Sequence, residues 1–314
     1  SLWEPRELGR VIEGFRRFPA TSDLEITVEC NPTSLDRARA DALAGAGVNR
    51  LSIGVQSLRD PELRFLGRLH DARGAVEALR GALASAIPRV SADLIFGLPE
   101  QSPEEAARQA GELADLGLRH LSCYQLTIEP RTRFGELAKR GRLPLADDGA
   151  VAEAFLAVHE ALESRGFRHY EISNYAQPGE EARHNLGYWR GDEYLGLGCG
   201  AYGFSFTERG AGVRWRNRLL PDEYMQNATD PTLESERLDA ETLLHERIML
   251  GLRMAEGFDL AAAGDALGVD PMTAERRRAL AALEKRGRIE VTGTRLRIPP
   301  RAWLFADDTA ARLF

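Results

Sequence analysis

The sequence predicts an α/β protein, a partial parallel (β/α) barrel followed by a C-terminal helical domain of winged-helix type. Three observations predict this fold. Short apolar runs alternate with helix-period patterns over the first two-thirds of the 314 residues. Polar residues recur near the carboxyl ends of successive predicted strands. From about Glu234 the pattern turns helical and ends in a small hairpin. We therefore expect two domains, residues 1–230 and residues 231–314.

Hydrophobic periodicity places the barrel elements in order along the chain. Pro5 suits the first turn of a helix. Residues 31–34 are expected to cap a second helix through Ala46, with Thr33 and Asp36 as a capping box. Further helices are predicted around residues 76–83, after Pro103 and over residues 151–164, and strands over residues 24–30, 51–55, 90–96, 121–127 and 170–173. Since no strand precedes the first helix, we expect the barrel to lack about two of its β/α units.

The C-terminal part reads as helix, turn, helix and hairpin. Helices are predicted over residues 243–252, 260–267 and 271–285, with a turn at residues 268–270. Residues 289–291 and 296–298 are expected to pair around Thr292-Gly293-Thr294. This order is typical of a winged-helix module.

A basic segment follows the predicted turn. Nine Lys and Arg stand against three Glu between Thr273 and Arg301. Nucleic-acid binding is one interpretation of such a segment in a winged helix. The chain's formal net charge of −7 favours the other, a solvated basic face that contacts acidic surfaces. We therefore expect no nucleic-acid partner.

Bulk composition is that of an ordinary soluble protein, with 43% hydrophobic and 28% charged residues. No long uncharged apolar run predicts a transmembrane helix, and no signal peptide is recognised at Ser1. The three cysteines, Cys30, Cys123 and Cys199, are scattered and odd in number, so no disulfide framework is expected. A reducing, cytoplasmic setting follows, with each cysteine a small buried residue by default.

Four predicted strands carry a polar residue near the carboxyl end, namely Glu29, Gln56, Asp93 and Gln125. In a parallel barrel these ends line one face, which is where active sites lie. Each residue taken alone is as well explained by capping of a neighbouring loop. Their recurrence in successive units favours a site for a polar small molecule.

A set of motifs resembles the radical-SAM family that contains the HemW heme chaperones and the anaerobic coproporphyrinogen III oxidases. The matching segments extend over nearly all of the chain, and they are residues 28–32 (VECNP), 52–57 (SIGVQS), 66–70 (LGRLH), 93–99 (DLIFGLP), 124–130 (YQLTIEP), 170–175 (YEISNY) and 196–201 (GLGCGA). The resemblance implies a radical-SAM barrel with a C-terminal domain of the HemN type.

The resemblance also implies a site for S-adenosylmethionine (SAM). Glu29 matches the carboxylate that holds the ribose hydroxyls of SAM, a task suited to an acceptor with two oxygens. Gln56, Arg68 and Asp93 match other residues that line this cofactor. Arg68 has the guanidinium geometry for pairing with the carboxylate of SAM.

Residues 184–189 spell HNxxYW, which resembles the signature of the heme chaperones within this family. The resemblance makes His184 the first candidate ligand of the heme iron, with Asn185, Tyr188 and Trp189 shaping its pocket. The alternative is that His184 is a hydrogen-bonding residue of a loop. Tyr202 stands where the family commonly has histidine, and tyrosinate also ligates ferric heme.

Residues 198–203 match GxGxxG, the fingerprint of dinucleotide-binding folds. That interpretation needs a helix that opens at the third glycine, whereas Phe204 to Thr207 is not a helix start. We expect a tight loop beside the cofactor face instead.

The chain departs from the family at the cluster motif. The family binds a [4Fe–4S] cluster through CxxxCxxC followed by a glycine motif, and neither is present in this sequence. Ser1-Leu2 corresponds to the residues just after those motifs, so we expect an amino-terminally truncated chain whose complete protein carries the cluster. As written, the chain is not expected to cleave SAM reductively.

The function that the resemblance implies is that of a cytoplasmic heme chaperone. It would bind heme and deliver it to acceptor proteins such as respiratory enzymes, with peripheral membrane association left open. The alternative is oxygen-independent coproporphyrinogen III oxidation in porphyrin biosynthesis. Whether the chain is an enzyme stays open at this point.

Overall fold

The computed structural model describes residues 3–18 and 24–314, which form two compact units divided between Glu181 and Ala182. The helices are α1 (Pro5–Phe15), α2 (Arg37–Gly45), α3 (Asp60–Phe65), α4 (Ala72–Leu83), α5 (Pro103–Asp115), α6 (Arg133–Lys139), α7 (Asp148–Glu163), α8 (Arg183–Arg190), α9 (Pro221–Gln226), α10 (Ala240–Gly251), α11 (Leu260–Leu267), α12 (Ala274–Lys285) and α13 (Ala306–Ala311). The strands are β1 (Thr27–Cys30), β2 (Arg50–Gln56), β3 (Arg89–Phe96), β4 (His120–Gln125), β5 (Arg168–Glu171), β6 (Asn174–Ala176), β7 (Tyr202–Glu208), β8 (Ala211–Asn217), β9 (Thr232–Leu238), β10 (Phe258–Asp259), β11 (Glu290–Thr292) and β12 (Arg295–Arg297).

The first unit contains a six-stranded sheet in the order β1-β2-β3-β4-β6-β5. The predicted α/β alternation is confirmed, because β1 to β4 pair in parallel through intervening helices. The strand predicted over residues 170–173 is present as β5, displaced by two residues to Arg168–Glu171. Two short strands, β5 and β6, form an antiparallel hairpin that closes this edge of the sheet. Two residues between them suffice for a hairpin but not for a parallel crossover.

The faces of this sheet differ in chemistry because side chains alternate along each strand. In β2, Leu51, Ile53 and Val55 are fully buried, and α4 packs on this strand. The opposite face of β2 carries Arg50 and Ser52. A polar face is thus backed by an apolar core under the helices.

The beginning of β1 and the cap of α2 differ from the prediction. Asn49 bonds the backbone amide of Ile26 and the carbonyl of Leu24 (2.8 and 2.7 Å), so β1 begins only at Thr27. The expected capping box is wrong, because the extended backbone of Leu35 separates a short 3₁₀ turn from α2. Asp36 is the actual cap, and it accepts a hydrogen bond from the amide of Arg39 at 2.7 Å.

The second unit begins with α8 and a three-stranded antiparallel sheet in the order β7-β8-β9, which the sequence analysis did not predict. It continues through α10, α11 and α12 to a second small sheet in the order β10-β12-β11. The predicted hairpin is confirmed by the pairing of Val291 with Leu296. Helix, turn, helix and wing therefore follow one another as expected.

The compact units divide the chain earlier than the predicted domains do. Residues 182–230, which the sequence analysis assigned to the barrel domain, group with the C-terminal helices. As a boundary between family domains, residues 230/231 stay a prediction. Among the described residues, no helix combines the length and the apolar character needed to cross a membrane. Ser1 and Leu2, on which the expected truncation depends, lie outside the described residues.

Candidate functional site

The four residues matched to SAM lie on β1, β2 and β3 or in the segment that follows α3. We name this part of the first unit, which comprises Glu29, Gln56, Arg68 and Asp93, the polar edge. Glu29 lies in β1 with its side chain exposed, and Asp93 lies in β3. Strand register pairs Glu29 with Ser52, and Ser52 Oγ donates to Asp93 Oδ1 at 3.2 Å. Glu29 and Asp93 are therefore brought to one face of the sheet. Gln56 ends β2, and Arg68 is exposed in the segment that follows α3.

Asp93 is electrostatically unusual. Burial raises its pKa to about 6, hydrogen bonds from Ser122 and Ser52 oppose that shift, and the charge of Glu29 adds to it. At neutral pH the carboxyl group is therefore close to its titration range. A carboxyl group in this range can accept a hydrogen bond from a polar ligand when ionised, or donate one to it when protonated, and either state costs little free energy.

Gln56 has a strained backbone, with φ of 67° in the left-handed region that favours glycine. Its amide folds back over Gly54, where a Cβ atom would lie only 2.8 Å from Gln56 Nε2. The missing side chain of Gly54 thus makes the place that the Gln56 amide occupies. Strain of this kind persists only where the surrounding structure enforces it, and it clusters at binding sites.

A buried polar cluster, which we name the Glu62 network, supports these loops. The Glu62 carboxylate accepts hydrogen bonds from Ser57 Oγ (2.5 Å), Gln109 Nε2 (3.0 Å) and Gln101 Nε2 (3.2 Å). Hydrogen bonds to the backbone fix the orientation of the two side-chain amides. Gln109 Oε1 accepts from the backbone of Leu58 and Gln101 Oε1 from that of Gly97, which leaves both NH₂ groups to Glu62.

The Glu62 network ties the segment after β2 to the segment after β3 and to α5. His70 adds a further tie, since its Nε2 lies 2.9 Å from the carbonyl oxygen of Val55. The segment after β2 begins just after Gln56 and includes Arg68, whereas the other segment follows Phe96. Sequence reasoning missed Glu62, because a glutamate in a charged helical segment gives no sign that it is buried.

A second buried network continues the polar face toward the amino ends of the strands. His120 Nδ1 faces Ser91 Oγ (2.8 Å) and Arg50 Nη2 (3.3 Å), and His120 Nε2 faces Tyr170 Oη (2.8 Å). A guanidinium only donates, so Nδ1 is the acceptor and Nε2 carries the proton in a neutral ring. His120 is accordingly satisfied within the fold, which gives it a structural role.

The cysteines do not form a cluster site. Cys30 and Cys123 are buried as expected, whereas Cys199 is exposed, so the default of burial is wrong there. Burial raises the pKa of both Cys30 and Cys123, which disfavours the thiolate that iron needs. Across residues 3–18 and 24–314 no group of three or more His, Cys, Asp or Glu is placed to hold a metal ion. The described residues do not fit a [4Fe–4S] cluster, and no chemical step is assigned through one.

The HNxxYW motif forms a two-turn helix, α8, and not a loop. The helix ends in a Schellman motif at Gly191, whose φ is 68°. The amide of Asp192 bonds the carbonyl of Gly187, and the amide of Gly191 bonds that of Tyr188, both at 2.9 Å. A Cβ atom at Gly191 would also lie 2.7 Å from Arg247 Nε, so two independent constraints require glycine there.

Helical spacing separates the four motif residues into two pairs. His184 and Tyr188 lie one turn apart and are both exposed. Asn185 and Trp189 form the other pair and are partly buried. Tyr188 packs edge-on against Tyr194 (4.9 Å), and the Arg253 guanidinium lies 4.5 Å from the centre of the Trp189 ring. His184 and Tyr188 therefore present one face, while Trp189 anchors the other.

The glycine-rich segment before β7 is a tight turn followed by a strand. Gly198 and Gly200 have φ of 103° and 71°, and β7 begins at Tyr202 without an intervening helix. This geometry excludes the dinucleotide interpretation of GxGxxG. The Tyr202 ring is half-exposed, with the Arg216 guanidinium 5.0 Å from its centre.

Part of the basic C-terminal segment serves the fold. Arg276 is buried and donates to the carbonyls of Leu313 and Pro271 and to Glu241 (2.6, 2.8 and 2.9 Å). Other members of the segment, Arg278 and Arg297, pair with nearby glutamates. The expectation of no nucleic-acid partner stays a prediction.

Two family models match the chain. The Radical SAM superfamily matches residues 4–110, and the HemN C-terminal domain matches residues 238–305. Coproporphyrinogen III oxidase (HemN) from Escherichia coli, a solved structure, superposes with a TM-score of 0.79 at 19% identity, over 99% of this chain and 74% of that one. That likeness shows the fold, and it confirms the predicted radical-SAM architecture.

Curated relatives show the family. Heme chaperone HemW from Escherichia coli K12 is 41% identical over 239 residues, which are 76% of this chain and 61% of that protein. A mitochondrial Radical S-adenosyl methionine domain-containing protein 1 from Mus musculus is 40% identical over 82% of this chain and 60% of its own length. The chain thus spans about three-fifths of these two relatives. Heme chaperone HemW from Mycobacterium tuberculosis H37Rv is 35% identical over all of this chain and 78% of that protein. The chain belongs to the HemW family of radical-SAM proteins.

Proposed function

We propose that this chain belongs to a heme chaperone that holds heme at α8, binds SAM at the polar edge of the first unit, and passes heme to acceptor proteins. The observation that carries the proposal is the HNxxYW segment, which forms a capped helix with His184 and Tyr188 exposed side by side. The relatives at 35–41% identity that are named heme chaperones support it.

Heme is the cargo in this proposal, and His184 is its iron-contacting residue. An exposed imidazole suits a cargo that must leave again, because a deeply enclosed ligand would slow release. Tyr188, one turn away, offers a ring beside the same position. Trp189 and Asn185 act from the other face of α8, where the stacking of Arg253 on Trp189 keeps the helix in place.

A hemin titration followed by visible absorption tests this role. We expect a saturable Soret shift with the unmodified chain and its loss in His184→Ala. His245→Ala is the matched control, since His245 lies in the same unit and pairs with Glu241. An unchanged Soret shift in His184→Ala would remove His184 from the proposal.

SAM binding is assigned to Glu29, Gln56, Arg68 and Asp93. Their chemistry fits the cofactor. The exposed Glu29 carboxylate offers two acceptors to a ribose diol, and the exposed Arg68 guanidinium offers a fork to a carboxylate. In radical-SAM proteins the cofactor supplies radical chemistry when a cluster reduces it. For the residues described in this chain, the proposal is confined to binding.

Isothermal titration of SAM tests this assignment. Glu29→Gln is expected to weaken binding about tenfold, because loss of a charged acceptor costs roughly 1.5 kcal/mol or more. Glu77→Gln is the control, as Glu77 pairs with Arg73 on exposed α4 surface. Equal affinity of Glu29→Gln and the unmodified chain would contradict the assigned role.

Oxidation of coproporphyrinogen III is the alternative that the sequence resemblance left open. The likeness to HemN at 19% identity concerns the fold, and no observation at the site favours oxidation over heme transfer. Respiratory acceptors, peripheral membrane association and a cytoplasmic location belong to the proposal for the whole protein.

A further inference from the structure

A cavity of about 280 Å³ opens beside Tyr188 in the second unit. Strands β7 and β8 form one wall, and α8, the segment that follows it and α10 contribute the rest. Four aromatic side chains line it, namely Tyr188, Tyr194, Phe204 and Phe206. We name this space the aromatic cavity.

The walls of the aromatic cavity are held in place by contacts among the rings. Tyr188 meets Tyr194 edge-on, with centroids 4.9 Å apart, and Phe204 meets Phe206 in the same manner at 5.0 Å. Backbone bridging between Tyr194 and Phe204 fixes two of these residues to each other. A Cβ atom at Gly212, on the facing strand, would lie 2.9 Å from the Phe204 ring. The cavity is therefore preformed, which lowers the cost of receiving a ligand.

Two charged residues of the lining, Arg214 and Glu246, already form an ion pair. Arg214 donates to both carboxylate oxygens of Glu246 (2.7 and 2.6 Å) and to Glu236 (3.0 Å). A guanidinium held in this way is a poor receiver for a ligand anion, because the existing pairs would have to break. Two further charged residues line the cavity, Asp192 and Arg247, and Arg247 donates to the backbone carbonyl of Arg190. The rest of the lining is aromatic and aliphatic, so it suits a flat, largely apolar ring system.

We propose that the aromatic cavity receives one edge of the tetrapyrrole ring, independently of the iron; this inference rests on the heme role proposed for α8. His184 and Tyr188 share a face one turn apart, so a flat ligand at His184 extends across Tyr188. The volume of about 280 Å³ lies just below the range of small-molecule pockets, roughly 300–1,000 Å³, and so matches an edge of the macrocycle rather than the whole. Recognition is thereby divided between an iron-contacting imidazole and an iron-independent aromatic slot.

Two ligands and two variants separate these contributions. Hemin binding is followed by its Soret band, and metal-free protoporphyrin IX binding by its fluorescence. Met249 lines the cavity from α10 and is 43% exposed, so it lies near the opening of the cavity. A tryptophan side chain at this position would occupy the space that a ligand needs. We expect Met249→Trp to weaken both ligands at least tenfold. His184→Ala is expected to weaken hemin while leaving protoporphyrin IX within about twofold.

Met225→Trp is the matched control, since Met225 is an exposed methionine on α9 of the same unit and is not part of the lining. It is expected to bind both ligands as the unmodified chain does. Phe206→Leu provides a second test if Met249→Trp proves unstable. Loss of that ring is expected to weaken protoporphyrin IX at least threefold, with circular dichroism confirming the fold.

The outcomes distinguish this inference from the heme proposal. Absence of a hemin Soret shift in the unmodified chain would defeat the heme role and this inference with it. The unmodified chain could show a normal hemin shift while folded Met249→Trp or Phe206→Leu keeps its affinity for protoporphyrin IX. That result would overturn the role proposed for the aromatic cavity and leave the heme role of α8 intact. Weakening of both ligands by Met249→Trp but not by Met225→Trp would support it.

Discussion

The polar edge of the first unit and the α8 segment of the second hold their candidate site residues by different means. At the polar edge, Glu29 and Asp93 are placed by strand register, and the Glu62 network ties down the segments that follow β2 and β3. On α8, His184 and Tyr188 depend on two helical turns that end at Gly191. Under the proposed function, the first arrangement suits a cofactor held in a fixed pose, and the second suits a cargo that must be released.

The largest expected effect comes from breaking the Glu62 network. Glu62→Ala leaves the donors of Ser57, Gln101 and Gln109 without their shared acceptor, which is expected to lower the free energy of unfolding by about 3 kcal/mol. Urea unfolding followed by circular dichroism measures this loss. Glu77→Ala on the exposed surface of α4 is the control and should leave stability unchanged.

The same Glu62→Ala variant sharpens the comparison through hydrogen exchange. Amides of residues 57–70 and 97–101 are expected to exchange faster together, while those of α8 keep their rates. Faster exchange in only one of the two segments would show that the Glu62 network does not couple them.

The α8 arrangement is broken most directly at its C-terminal glycine. Gly191→Ala places a side chain at φ of 68° and against Arg247, and a loss of about 2 kcal/mol is expected. Tryptophan fluorescence during unfolding suits this measurement, because three of the four tryptophans, Trp189, Trp215 and Trp303, lie in the second unit.

Gly187→Ala is the matched control within the same helix. Its Cβ would meet only the Asp192 carboxylate, at 3.4 Å, so the variant should be as stable as the unmodified chain or slightly more so. Equal behaviour of the two alanine variants would contradict the role given to the Schellman motif. Hemin affinity is expected to fall with Gly191→Ala and to persist with Gly187→Ala.

The remaining effect comes from the charge of Asp93 at the polar edge. The folded-state pKa of Asp93, about 6, lies above its ordinary value of 3.8 because of burial. The folded chain therefore holds more protons than the unfolded chain between about pH 4 and pH 6, and this group lowers stability as the pH rises through that window. Asp93→Asn is expected to be more stable than the unmodified chain by up to about 3 kcal/mol at pH 7.5, because each pKa unit corresponds to about 1.4 kcal/mol, and nearly equal to it near pH 3.5.

Thermal unfolding of both proteins across this pH range measures the difference. Titrating groups far from Asp93 cancel in the comparison, because they are common to the two chains and are not coupled to it. Glu29, whose charge acts on Asp93, is the neighbour that does not cancel. A stability difference that does not change with pH would show that Asp93 is not held in the environment that raises its pKa.

Sequence-based prediction was most accurate for elements whose conformation depends on their own local pattern. Hydrophobic patterns predicted β2, β3 and β4 to within about two residues. The family resemblance made residues 184–189 a candidate site, although the helix that they form, α8, was not predicted. Prediction failed where the conformation of a strand depends on its pairing partner, as at the β5–β6 hairpin and the β7-β8-β9 sheet. A strand such as Thr232–Leu238, read as helical, owes its conformation to Arg214 and Trp215 on the neighbouring strand.

By itself, the sequence determined the α/β class, the polar residues at the strand ends and the presence of the heme-chaperone motif, because these depend on local periodicity and on residue identity. Only the tertiary structure decided that Glu62 is buried among Ser57, Gln101 and Gln109, that His184 and Tyr188 share a face apart from Trp189, and that an aromatic cavity opens beside Tyr188. The physical reason is that burial, hydrogen-bond satisfaction and unfilled volume are properties of neighbours distant in sequence. No local pattern encodes them.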